Sequence, residues 1–209
     1  MDEIKVVSFD VEGTLVTTDF SYAIWFEAIP GLYAQKKGVD IAQAKEIVML
    51  EYEKIGDLSL EWYDVRQWLD RFDLGVPEPM MEGCQGKVRY YPEVHDVLDS
   101  LAGRYKLIAT SGSPREFLRH LLRDIEPYFV QVFSSISDHK QLKTTDFYLS
   151  ICRVMEVEPE QIVHIGDNRQ SDYVTPNQVG IKAFYLDRNS GGCQDSLTSL
   201  AQLKSYLLA

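Results

Sequence analysis

Cysteine is scarce. Cys84, Cys152 and Cys193 are widely spaced and odd in number, which argues against a disulfide framework or a cysteine-built zinc site and suits a reducing cytoplasm. Basic residues are also in deficit, 21 against 32 acids, for a formal net charge of −11. A nucleic-acid binder needs a basic stripe to neutralise phosphates, and this balance argues against one. A small anionic substrate is compatible with it only where a few basic groups converge. No apolar run approaches the roughly 20 residues of a membrane span. The opening MDEIKVVSF is acidic and then strand-like, so it does not read as a signal peptide. There is no repeat or low-complexity tract. His95, His120 and His139 are scattered without ligand spacing, and His164 falls inside an apolar strand, where a core role is expected.

What is present is 209 residues with 45% hydrophobic composition, enough for one sizeable core with a smaller appended domain. Ile4 to Phe9 is a short β-branched run that ends at a turn, hence a strand. From about Phe20 to Phe72 the rhythm is helical, with apolar residues three and four apart, and Asp40 and Ser59 stand where helix caps belong. The Pro- and Gly-rich stretch from Asp73 to Lys87 is expected to end that block. Strands and helices then alternate. Strands are predicted at Tyr105–Thr110, Phe129–Ser135, QIVHIG and KAFYL. Helices fall between them, and LTSLAQLKSYLL forms a last helix. Such alternation predicts an α/β fold, a three-layer, Rossmann-like parallel sheet covered on both faces. The helical block is read as a cap (17–85) inserted after the first strand of a core built from 1–16 and 86–209. Trp25, Trp62, Tyr63 and Trp68 lie in that cap, mostly as packing, with one or two available to touch a substrate.

In an open parallel sheet, ligands bind beyond the carboxyl ends of the strands. The first strand delivers Asp10 and Glu12, and the second Thr110, Ser111, Gly112 and Ser113. The fourth delivers Gly166 and Asp167, with Asp172 soon after, and a lysine, Lys143 or Lys140, lies nearby in sequence. Converging carboxylates, a hydroxyl-rich glycine turn and a lysine suit a hard, oxygen-liganded cation held together with a phosphate.

These segments resemble the haloacid dehalogenase superfamily, most of whose members are phosphatases. Asp10-Val-Glu-Gly-Thr14 is similar to its DxDGT nucleophile motif, LIATSG to its second motif, Lys143 to the lysine of its third motif, and Gly166 to Asp172 to GDxxxSD, its fourth. The resemblance implies a Mg²⁺-dependent hydrolase of a small phosphorylated metabolite; a cytoplasmic monomer or homodimer is expected. Asp10 would be the nucleophile. Metal ligands would come from Asp10, the Glu12 backbone carbonyl and Asp167, with Asp172 orienting them from behind. Thr110, Ser111, Gly112 and Lys143 would hold the phosphoryl group, and Glu12 would protonate the leaving oxygen. A phosphomutase, an enolase-phosphatase-like enzyme and a catalytically quiet binding protein are the alternatives.

The departure is Glu12, where most of these phosphatases carry Asp. Dehalogenases of the superfamily have an aromatic there and phosphonatases a small residue, so the retained acid argues against both chemistries. The intrinsic pKa of Glu exceeds that of Asp by only about 0.4 units, whereas its reach grows by about 1.5 Å. Either the site is built for the longer arm or the rate is lower. The enolase-phosphatases carry a similar DxEGT.

Overall fold

A computed structural model describes residues 3–188 and 196–208. The strand-like start is therefore seen from its third residue on, and Cys193 lies outside the described residues. The described residues build one six-stranded, all-parallel sheet in the order β3-β2-β1-β4-β5-β6. The strands are β1 (Val6–Phe9), β2 (Lys106–Ser111), β3 (Gln131–Ser134), β4 (Ile162–Gly166), β5 (Lys182–Leu186) and β6 (Ser196–Leu197).

Alternation within the strands makes the three layers. Val7, Phe9, Leu107, Ala109, Val163 and Ile165 pack on one face against Val97, Leu101, Phe117 and Leu203. Val6, Ile108 and Ile162 pack on the other face against Phe147, Ile151 and Met155. A strand buried on both sides has no polar face, which is why these segments read as continuous apolar runs.

The helical segment contains α1 (Asp19–Tyr22), a π-helical stretch (Ala23–Ala28), α2 (Ile29–Lys37), α3 (Ile41–Ile55), α4 (Val65–Phe72) and α5 (Pro77–Cys84). Asp40 caps α3, accepting from the amides of Ala42 and Gln43 at 2.9 and 3.0 Å. Ser59 caps only a 3₁₀ turn, because Asp64 interrupts the expected helix and caps α4 through Arg66 and Gln67. The Pro-rich stretch does not end the helical block. Pro77 occupies a first-turn position of α5, where a missing N–H costs nothing. The two ends of this segment run side by side: Thr17 N–H donates to Arg89 O at 2.9 Å and Tyr91 N–H to Leu15 O at 3.1 Å, with Val16 bridged to Tyr90.

The remaining helices are α6 (Val94–Ala102), α7 (Arg115–Leu121), α8 (Ser135–His139), α9 (Thr145–Met155), α10 (Thr175–Gln178) and α11 (Leu200–Leu208). The predicted last helix starts later than its apolar pattern, since Leu197 is taken by the edge strand β6. Cys84 and Cys152 are free thiols. Among the described residues, no helix is long and apolar enough to cross a membrane.

Candidate active site

Register brings the strand-end acids together. β1 lies between β2 and β4, with Phe9 opposite Ala109 on one side and Ile165 on the other. Asp10, Ser111 and Asp167 therefore leave adjacent strands at nearly the same level. They line a cavity of about 620 Å³ with Glu12, Gly112, Lys143 and Asp172, and Asp57, Leu58 and Tyr63 of the helical segment line it as well.

Of the two candidate lysines, Lys143 is the one that reaches the strand-end acids. It is buried and donates to Asp10 Oδ1 at 2.5 Å and to Asp172 Oδ1 at 2.7 Å. Lys140 sits outside this cavity, in a groove lined by Tyr63, Arg66 and Pro114. Thr14 completes the Asp10 contacts, donating to Oδ2 at 3.1 Å.

Carboxylate oxygens of Asp10, Asp167 and Asp172 lie within 4.8 Å of one another. Burial pushes the Asp10 carboxyl up to about 8; Lys143 opposes this, while Asp172 and Asp167 add to it. Asp167 is exposed at the cavity mouth, yet desolvation and then the Asp172 charge push it up to about 6. Burial also acts against Asp172, but Lys143 and His164 outweigh it and hold this acid well below the ordinary range. More negative charge converges here than Lys143 can balance, and the donors are hard oxygens. Such a set fits a divalent cation. Asp172 has less to offer it directly, since its oxygens already accept from Lys143 and from the Asn168 amide at 3.1 Å.

Two glycines permit this crowding. A Cβ on Gly13, which has φ 76°, would lie 2.0 Å from Asp167 Oδ2, and one on Gly166 would lie 2.5 Å from Asp172 Cγ. Gly13→Ala should therefore lower the melting temperature, costing about 1–3 kcal/mol from the left-handed backbone alone. It should also displace Asp167 and weaken cation binding, readable by calorimetric titration. An unchanged melt and affinity would refute this packing.

Glu12 bridges two parts of the molecule. Oε1 accepts from Ser21 Oγ of α1, and Oε2 accepts from Ser113 Oγ at 2.5 Å. Burial raises its carboxyl, and the Ser113 and Ser21 hydrogen bonds partly reverse the effect. Thr110 is placed differently from its neighbours. It is fully buried behind the cavity wall, with Oγ1 2.8 Å from Ser8 Oγ. Ser111 and Gly112 do reach the cavity.

Behind the wall runs a polar chain that the sequence did not reveal. Ser8 Oγ is 2.8 Å from His164 Nδ1, and His164 Nε2 is 3.3 Å from Asp172 Oδ1. Tyr148 lies 3.2 Å from the same nitrogen and donates to Ser171 O at 2.9 Å. His164 is thus a core histidine, as expected, but one tied to the site. Arg188 holds the turn after Asp10, donating to Gly13 O and Thr14 O at 3.2 and 2.8 Å and pairing with Glu93 at 2.8 Å. Polar residues inside an otherwise apolar strand were the only signal for Ser8. Arg188 is 175 positions from Gly13 and gave none.

Residues 4–180 match the pattern of a hydrolase family described as haloacid dehalogenase-like hydrolase. The chain belongs to that family. The haloacid dehalogenase (HAD) fold is shared with an HAD phosphatase from Thermococcus onnurineus, at TM-score 0.84 and 24% identity over 98% of each chain. A 2-haloacid dehalogenase from Pseudomonas syringae pv. Tomato DC3000 follows, at 0.71 and 21% over 98% of each. The HAD-hydrolase YfnB from Bacillus subtilis, bound to magnesium, has 0.69 and 14% over the full length of both chains. No curated protein matches at a significant level. The relatives include both phosphatase and dehalogenase, so the choice between these hydrolase chemistries rests on the site.

Proposed function

We propose that this HAD-family hydrolase is a Mg²⁺-dependent phosphomonoesterase of a small phosphorylated metabolite, with residues 17–85 capping a core of 1–16 and 86–209. The carrying observation is the pairing of a strand-end Asp10, charge-balanced by Lys143 at 2.5 Å, with a second acid, Glu12, held in place by serines on both sides. A dehalogenase has no use for that second acid, because a halide leaves without a proton.

The Asp10 carboxylate attacks phosphorus in line, forming an aspartyl-phosphate as the bond to the ester oxygen breaks. Glu12, kept protonated more readily by its burial, gives its proton to that oxygen. As a carboxylate it then takes a proton from the water that attacks the aspartyl-phosphate, which releases phosphate and restores both acids. Lys143 and the Ser111–Gly112 turn offset charge on the phosphoryl oxygens. Asp10, Asp167 and the Glu12 backbone carbonyl would hold Mg²⁺. When bound, it would neutralise the repulsion between a carboxylate and a phosphate dianion. Lys143, His164 and the Asn168 amide fix Asp172 so that it can orient those ligands.

Phosphate release from a panel of phosphomonoesters should require Mg²⁺, stop with chelator and return when Mg²⁺ is added back. Trapping of beryllium fluoride on Asp10 should follow the same dependence. A protein that releases no phosphate from any member of the panel is not this enzyme.

A further inference from the structure

The Glu12 carboxylate stands between two cavities. One is the polar cavity of Asp10 and Lys143. The other, of about 380 Å³, is walled by Tyr22, Trp25, Phe26, Trp62, Tyr63 and Phe117, and Glu12 is the only charged side chain among its lining residues. Glu12, Tyr63 and Ser113 face both, so the two spaces meet at the proposed proton donor.

We propose that the aromatic chamber receives the leaving group, and that the preferred substrates are phosphate monoesters of uncharged aryl or arylalkyl alcohols. This rests on the phosphomonoesterase reading above. The reasoning begins with direction. The oxygen protonated by Glu12 must depart on the side of phosphorus that faces Glu12, and the group it carries must occupy the space beyond. Chemistry then selects the group. Among the described residues no cation lines the chamber to hold a carboxylate or a second phosphate, and desolvating such a charge unpaired is prohibitive.

The walls are π-faces. Trp25 stacks on Phe117 at 5.4 Å and 17°, and Trp62 tilts over Trp25 at 5.3 Å. These rings are not all spent on packing. Trp68 is, being almost fully buried against Tyr52 and Phe72. Phe26, Trp62 and Tyr63 are only partly buried and Tyr22 is 54% exposed, leaving surface for a guest. Size agrees as well. An apolar cavity of about 150 Å³ accommodates benzene, so the chamber admits an aromatic ring with a short linker.

The test compares 2-phenylethyl phosphate with glycerol 3-phosphate. Both leaving groups are aliphatic alkoxides, so intrinsic reactivity is matched and the chamber decides. The expected kcat/KM ratio is about 30-fold in favour of the phenylethyl ester, mostly through KM, from burial of one ring. Trp62→Ala should reduce that ratio about tenfold. Tyr22→Ser, at an exposed position, should reduce it in the same direction and serves if Trp62→Ala fails to fold. In Asp10→Asn, which should bind without turnover, 2-phenylethyl phosphate should change the tryptophan fluorescence at concentrations where glycerol 3-phosphate does not. Hydrolysis of glycerol 3-phosphate at equal or better kcat/KM overturns the inference and leaves the phosphomonoesterase intact. It would put the leaving group on the polar side instead, beside Thr144, Asn168 and Gln170. Hydrolysis of neither ester, nor of any other phosphomonoester, overturns both.

Discussion

Asp10→Asn is expected to lower phosphate release by about 10⁴-fold or more, the scale on which removal of a nucleophile acts, while leaving the protein at least as stable as wild type. The two halves of this prediction come from one cause. Asp10 is buried with Asp172 and beside Asp167, and Lys143 is the only cation in contact with it among the described residues. Burial and the neighbouring acids push its carboxyl up to about 8, so an ionised Asp10 is disfavoured in the cation-free fold. Asn is nearly isosteric, is neutral, and keeps an oxygen for the Thr14 hydroxyl. Lys143 retains Asp172 at 2.7 Å. Charge crowding tolerated for chemistry is thereby relieved, as happens when functional strain is removed elsewhere. Calorimetry without metal should show a melting temperature no lower than wild type. A fall of more than about 5 °C would mean that the Asp10–Lys143 pair stabilises the fold by roughly 2 kcal/mol, and the crowding account would fail. Retained turnover would remove Asp10 from the nucleophile role.

How much of this was legible depends on where each residue stands relative to the sheet. Asp10 and Asp167 could be read because a parallel sheet ends its strands at a common edge, and each follows an apolar strand directly. The in-register pairing of Phe9 with Ile165 is the physical content of that expectation. Lys143 was legible by its motif, and only the structure separates it from Lys140. Thr110 was expected as a phosphate contact from its register with the other motifs, but strand residues alternate in direction. Its hydroxyl faces Ser8 inside the sheet layer instead of the cavity. Ser8, His164 and Tyr148 were opaque as a group, since the chain they form crosses strands and helix at sequence separations of 156 and 16. α5 was missed because Pro and Gly were read as breakers, although Pro at a first turn favours a helix. The Ser21 contact to Glu12 had no sequence signal beyond a hydroxyl near a helix start.

Glu12 carries the second large prediction, and it separates proton transfer from reach. Glu12→Gln keeps the length and removes the proton. Turnover should fall about 10²- to 10⁴-fold, the range of general acid–base catalysis, with beryllium fluoride trapping on Asp10 preserved. Glu12→Asp keeps the proton and shortens the arm by about 1.5 Å. In wild type the carboxylate spans the gap between Ser21 on α1 and Ser113 after β2. An aspartate at the same backbone position cannot keep both contacts, and a donor misplaced by about 1 Å costs about 100-fold. Aspartate here should therefore be a poor substitute in this chain. Ser21 supplies the control. Ser21→Ala should slow the wild-type enzyme and add less in the Glu12→Asp background, because the shorter arm no longer spans both serines, a coupling that a double-mutant cycle measures. If Glu12→Asp works as fast as wild type, the longer arm is incidental. If Ser21→Ala costs the same in both backgrounds, Ser21 acts on α1 alone. With both expectations met, the glutamate is the residue that spans from the strand end to the helical segment, placing the proton donor where the polar and aromatic cavities join.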